Sequence, residues 1–119
     1  MVQGRLSKEQ KIERIEKFVA LIGDKWSLLI IGQLAFGKNP SRFNELMREL
    51  RPISSRTLAI KLAKLTDNKI VEKTIEGHSP PFTQYLLTAK GTDLVDAFRA
   101  MGEWSKKWQI PDASIGLKK

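Results

Sequence analysis

The chain has 119 residues, of which 41% are apolar and 29% charged, enough to bury one core and too few residues for two domains of ordinary size. Lys and Arg number 21 against 13 Asp and Glu, a net charge of +8 that points to a polyanionic partner, either nucleic acid or an anionic membrane surface. With no cysteine and one histidine, disulfides, thiol redox chemistry, cysteine–zinc sites and most nucleophile–base pairs are excluded.

Ser7-Lys8-Glu9-Gln10 is a capping-box pattern, and behind it Ile12, Ile15, Phe18, Val19 and Ile22 recur at three- and four-residue steps. The spacing predicts a helix over 8–22, stopped at Gly23 by a left-handed residue. Charges at Arg5, Lys8, Glu9 and Lys11 leave no apolar signal segment, and the longest apolar run, Leu28 to Ile31, is far below the ~20 residues of a membrane span. A cytoplasmic protein is expected.

Asp24 is read as the cap of a second helix that turns Trp26, Leu29, Ile30 and Leu34 inward and ends near Gly37. Gly37-Lys38-Asn39-Pro40 has the composition of a turn. Ser41 is the expected cap of a short third helix striped by Phe43, Leu46, Met47 and Leu50, which Pro52 ends. Ser54 then opens a fourth helix with one narrow apolar seam, Leu58, Leu62 and Leu65.

The pattern changes at Ile70–Glu76, rich in β-branched residues, and Phe82–Thr88 is read the same way, with Gly77-His78-Ser79-Pro80-Pro81 between, which predicts a hairpin. Thr88 is read as the cap of a last helix carrying Leu94, Val95, Phe98, Met101, Trp104 and Trp108. Residues 111–119 lose periodicity and are expected to form a loose tail behind a single domain at 1–110.

Helix, helix, short helix, basic helix, hairpin, helix is the order of a winged helix-turn-helix, so the expected class is mainly α with a small β-hairpin. A major groove about 12 Å wide admits one helix, which needs one apolar seam and a polar, basic remainder. Residues 54–66 fit that requirement, and a wing at 70–88 is placed to reach the flanking backbone or minor groove. Between Lys38 and Lys64 seven basic residues face only Glu45 and Glu49, so a net +5 of the surplus sits in under a quarter of the chain.

Seven segments stand in a characteristic order: Ile22-Gly23-Asp24-Lys25-Trp26-Ser27-Leu28-Leu29-Ile30, Arg42-Phe43-Asn44-Glu45-Leu46, Ile53-Ser54-Ser55-Arg56-Thr57-Leu58, Ile70-Val71-Glu72-Lys73, Pro80-Pro81, Tyr85-Leu86-Leu87-Thr88 and Gly91. On these segments, over roughly 18–108, the chain resembles the HxlR-type, MarR-like winged helix-turn-helix transcriptional regulators. The resemblance implies a homodimer that reads an inverted repeat in double-stranded DNA. It departs from the family in three places. The cysteine used for thiol sensing in many members is absent, Asn68-Lys69 stands where glycine is common, with Asn68 expected to take the left-handed turn, and Phe82-Thr83-Gln84 lacks the usual strand charge.

The expected function is a sequence-specific, repressor-like regulator. Its DNA-binding candidates are Arg42, Ser54, Ser55, Arg56, Thr57, Ile60, Lys61, Lys64, Lys73 and His78. Arg56 is the candidate for a bidentate guanine contact, whereas Lys61, Lys64 and Arg42 suit phosphates. His78 has no second ligand beside it and is either a wing contact or a plain loop residue. Trp26 reads as core. Ile15, Phe18, Ile22, Phe98, Met101, Trp104 and Trp108 are more apolar surface than one small protomer readily buries, and are assigned to a dimer interface. Packing of the first helix on the last within one chain is the competing arrangement. The aromatics near Trp26 and Trp104 are also where a small-molecule effector would fit, though such a stripe is more often core, and no cofactor, metal or effector position is assigned. An enzyme is not expected, because no nucleophile–base pair, phosphate-cradling loop or ligand cluster can be assembled. The alternative function is a winged-helix protein-interaction module with only non-specific DNA affinity.

Overall fold

A computed structural model describes residues 5–111. Its elements are α1 (Lys8–Ile22), α2 (Lys25–Phe36), β1 (Ser41–Arg42), α3 (Phe43–Glu49), α4 (Ser55–Asp67), β2 (Val71–Glu76), β3 (Phe82–Leu87), α5 (Ala89–Thr92) and α6 (Val95–Lys107). The antiparallel sheet has the order β1-β3-β2, with Val71 opposite Leu87, Lys73 opposite Tyr85 and Ser41 also opposite Tyr85 from the other side.

Three helix starts are set by side chains that satisfy otherwise orphaned amides. The Ser7 hydroxyl accepts from the Gln10 amide at 3.0 Å while Gln10 Oε1 accepts from the Ser7 amide at 2.8 Å. Asp24 Oδ1 accepts from the Ser27 amide at 2.9 Å, and Ser54 Oγ from the Thr57 amide at 3.0 Å. The core is built from Ile30, Ile31 and Leu34 of α2, Leu46 of α3, the Leu58–Leu62–Leu65 seam of α4, and Val71, Tyr85 and Leu87 of the sheet. Each of these large side chains contributes about 1.5–3 kcal/mol relative to full exposure. α6 approaches α2 where Phe98 lies beside Gly32.

Five local expectations are corrected. Gly23 closes α1 at φ −80°, outside the left-handed region; its use is close approach, since a Cβ there would lie 2.5 Å from the Val19 carbonyl oxygen. Ser41 does not cap α3. It is buried in β1, its hydroxyl donating to the Lys38 carbonyl at 2.6 Å, and extended Arg42 precedes the helix with its amide bonded to Glu45 Oε1 at 2.7 Å. The hairpin is therefore a three-stranded sheet, whose added strand is too short for alternation to show in sequence. After α4 it is Lys69, at φ +64°, that takes the left-handed conformation, while Asn68 donates its side-chain amide to the Lys64 carbonyl at 2.9 Å. The last helix is interrupted at Asp93–Leu94, where the Leu94 amide reaches back only three residues to the Gly91 carbonyl. Residues 112–119, where the loose tail is expected, lie outside the described residues.

The turn α5 is pinned to the start of β2. The Thr88 amide donates to the Ile70 carbonyl at 3.0 Å, and the Thr88 hydroxyl, at 3.1 Å from that same oxygen, also caps Gly91. Gly91 is buried against this carbonyl, and a Cβ there would lie 2.3 Å from the Ile70 oxygen and 3.0 Å from Leu87 Cδ2. The oxygen cannot retreat without breaking its own bonds to Thr88. Gly91→Ala is therefore expected to destabilise the fold by about 2–3 kcal/mol, measured by urea unfolding. An unchanged unfolding midpoint would mean that α5 is not docked in this way.

Candidate nucleic-acid interface

One face of α4 is fully committed to the core, which decides what the other face offers. Leu58, Leu62 and Leu65 are buried; at about 100° per residue, Arg56 and Ile60 fall on the opposite side. Arg56 is exposed and, among the described residues, makes no ion pair; Ile60 is 52% exposed. Ser54 and Ser55 are exposed at the amino end of the helix, and Thr57 is half-buried beside its cap. These residues form one outward face.

Lys61 and Lys64 are turned elsewhere. Lys61 Nζ lies 3.3 Å from Asp24 Oδ1 and Lys64 Nζ 3.6 Å from Asp24 Oδ2, so both ammoniums sit on the flank of α4 that faces the amino end of α2. Asp24 also accepts from the Ser27 amide and, at 2.8 Å, from the Ser27 hydroxyl. Burial alone would raise its pKa, but the two Ser27 bonds and Lys61 outweigh it and hold the carboxyl at about 2, below its usual 3.8. Sequence reasoning identifies Asp24 only as a cap, because contact across 37 and 40 residues leaves no periodic trace.

Because the folded value lies below the unfolded one, the stabilisation is complete above pH 4 and is lost as the pH falls toward 2. With solvent screening at a side chain one-third exposed, the loss should be roughly 1–2 kcal/mol. The check is urea unfolding between pH 5 and 2, in which Asp24→Asn should show a flatter profile than the wild type. Parallel profiles would contradict it.

The wing stands beside α4. Val71, Lys73 and Ile75 alternate onto the face of β2 that carries the buried Tyr85 and Leu87 opposite them on β3. A cleft of about 310 Å³ separates this face from α4, with Lys73 and Tyr85 on one wall and Ala59, Ala63 and Thr66 on the other. Ile75, 72% exposed, lies further out on the same strand face; nothing in its sequence context marks it apart from an ordinary strand residue. His78 is exposed in the hairpin loop next to Gly77, whose φ of +76° is a conformation that L side chains rarely adopt.

Arg42 belongs to another surface, the β1 edge. Its guanidinium carbon is 3.7 Å from the centre of the Phe82 ring, in a groove of about 490 Å³ that also meets Phe43, Asn44 and Arg48. Lys38 in that groove is paired with Glu45, whose carboxyl is held below its usual value first by the Arg42 amide and then by Lys38. Nothing in the sequence singles out Arg48, since a lone cation late in a short helix usually faces solvent.

The residues assigned to an interface between chains divide. Ile22 is corrected: at 1% exposure it is part of the protomer's own core. Phe98 is half-buried on that core. Ile15 and Phe18 of α1 remain exposed, as do Met101, Trp104 (58%) and Trp108 (61%) of α6 and its end. Ile12 and Val19 add to the bare stripe on α1. Since both stripes are bare, α1 and α6 do not cover each other within one chain. The described pockets lie away from Trp104, and Trp26 packs on the core with Lys25 over its ring.

A helix seated on the core by one leucine seam and presenting a cationic outer face beside a β-wing defines a winged helix-turn-helix regulator of the MarR-like class. Residues 21–113 match the HxlR-like helix-turn-helix family, and the chain belongs to it. The transcriptional regulator YodB of Bacillus subtilis (strain 168) is 34% identical over 102 residues, which cover 86% of this chain and 89% of YodB. The structure of the redox regulator HypR in its reduced form superposes with a TM-score of 0.74 at 29% identity, over 82% of this chain and 94% of that one. A structure assigned to the MarR family from Enterococcus faecalis V583 gives a TM-score of 0.73 at 27% identity, over 91% and 94%. The fold and the relatives are those of transcriptional regulators, not of enzymes. No single helix among the described residues is long and apolar enough to cross a membrane.

Proposed function

We propose that the protein is a cytoplasmic, repressor-like regulator that binds a pseudo-palindromic site in double-stranded DNA as a homodimer. The observation that carries this reading is the outer face of α4, where Arg56 and Ile60 project from a helix whose other face is wholly buried. Arg56 contacts guanine, Ile60 packs on a thymine methyl, and Ser54, Ser55 and Thr57 bind at the helix amino end. Lys73 and His78 of the wing and Arg42 of the β1 edge contact the flanking backbone, and Lys61 and Lys64 border the same surface.

The second copy of the chain covers α1 and α6. Two apolar stripes left bare by the protomer, one on each terminal helix, favour a partner that offers the same pair, which is the self-complementary geometry of a two-fold dimer. Such a dimer sets two reading helices about 34 Å apart, one turn of DNA. HypR is named a redox regulator; in this chain no cysteine thiol can serve such a role, since its 119 residues contain none.

Sedimentation of the protein with and without a bound duplex tests the assembly. Two chains in the free protein and two per duplex are expected. One chain per duplex at all concentrations would contradict the dimer.

A further inference from the structure

We propose that Asp24 is a specificity-determining residue: by holding the ammoniums of Lys61 and Lys64 on the α2 side of the reading helix, it keeps them off DNA phosphates. Binding by α4 then depends on base contacts rather than on lysine charge. The inference rests on the DNA-binding reading above and adds an element to it.

The geometry is specific. α4 carries three cations, and two of them converge from successive turns on the two oxygens of one carboxylate, at 3.3 and 3.6 Å. The third, Arg56, is exposed opposite the leucine seam and, among the described residues, makes no ion pair. Both lysines are about one-quarter to one-third exposed, so their long stems lie along the protein instead of extending into solvent. The carboxylate cannot easily swing away to release them, because it is anchored by two bonds to Ser27 at the start of α2. It remains charged throughout the physiological range.

The consequence concerns the electrostatic part of binding, which is nearly independent of sequence and grows with each phosphate neutralised. Two free lysines on a reading helix would raise affinity for every duplex alike and lower the ratio between the preferred site and all others. Two lysines committed to Asp24 leave that ratio to Arg56 and its neighbours. The arrangement differs from a simple structural ion pair in one measurable respect, the salt dependence of DNA binding.

Asp24→Asn keeps an acceptor for the Ser27 amide and removes the charge. It is expected to bind an unrelated duplex several-fold more tightly than the wild type. The plot of log affinity against log salt should steepen by roughly one to two per half-site, or two to four for the dimer, at about 0.9 for each additional phosphate neutralised. Affinity for the preferred site should rise less, so the ratio falls. Adding Lys61→Met and Lys64→Met to Asp24→Asn should restore the wild-type slope. The same lysine pair replaced in the wild-type background, where Asp24 is intact, should leave the slope nearly unchanged. This last variant does not depend on how Asp24→Asn folds. If it lowers the slope by roughly one to two per half-site, the lysines already sit on phosphates and the proposal is overturned. An Asp24→Asn slope equal to the wild-type slope also overturns it. A wild-type protein without any preferred duplex would instead defeat the DNA-reading function itself, so the two failures are distinguishable.

Discussion

Arg56→Ala is expected to weaken binding to the preferred site by about 1–3 kcal/mol per half-site, which approaches 2–6 kcal/mol when both half-sites of a dimer lose the contact. The same change should relax the base preference at one position in each half-site. Arg56 lies in the first turn of a helix whose buried seam is Leu58, Leu62 and Leu65, so its guanidinium has no part in holding the helix down. It is exposed and, among the described residues, makes no ion pair. Stability should therefore change by no more than about 0.5 kcal/mol. Binding isotherms on the preferred site and on variants at each position, with urea unfolding as a control, separate the two effects. Unchanged affinity and unchanged preference would show that α4 reads DNA through other residues or not at all.

Replacing Trp104 and Trp108 together by glutamate is expected to give a folded monomer. Both rings are more than half exposed in the protomer, four residues apart at the end of α6, so the core loses nothing when they are changed. In the proposed dimer they are covered by the second chain, and two carboxylates placed there would be buried without partners. Loss of the second reading helix removes the effective-concentration advantage of the dimer, and affinity for a two-half-site duplex should fall at least about a hundredfold. Light scattering reports the mass, and binding to a full site and to a half-site reports the coupling. A dimer that survives the double change would place the interface elsewhere.

The parts of this fold that are legible in sequence are those in which one local signal decides the outcome. Ser7, Asp24 and Ser54 cap helices because a small acceptor before an apolar period has few other uses, and the two longer strands follow from β-branched segments on either side of a Gly/Pro loop. β1 is not legible: two residues carry no period, and its existence depends on the free edge of β3, about 40 residues away. The same limit hides the site's electrostatics. Lys61 and Lys64 read as free cations because residues 54–65 hold no acid, whereas Asp24 reaches them through the packing of α2 against α4. Ile22 groups with Ile15 and Phe18 in sequence because all three share one helical stripe. Only the point at which α1 leaves the core, between Phe18 and Ile22, separates the buried end from the bare one. Where a left-handed residue is required after α4, composition favours Asn68, yet the chain uses Lys69 while Asn68 serves the helix end. A glycine at that position would remove the steric cost that Lys69 bears.

The most direct test of the account is selection of bound sequences from random duplex DNA at two salt concentrations. An enriched inverted repeat, with half-site centres about ten base pairs apart, is expected and should persist at the higher salt. Salt-sensitive binding without enrichment would leave the fold intact and contradict the claim that α4 reads sequence.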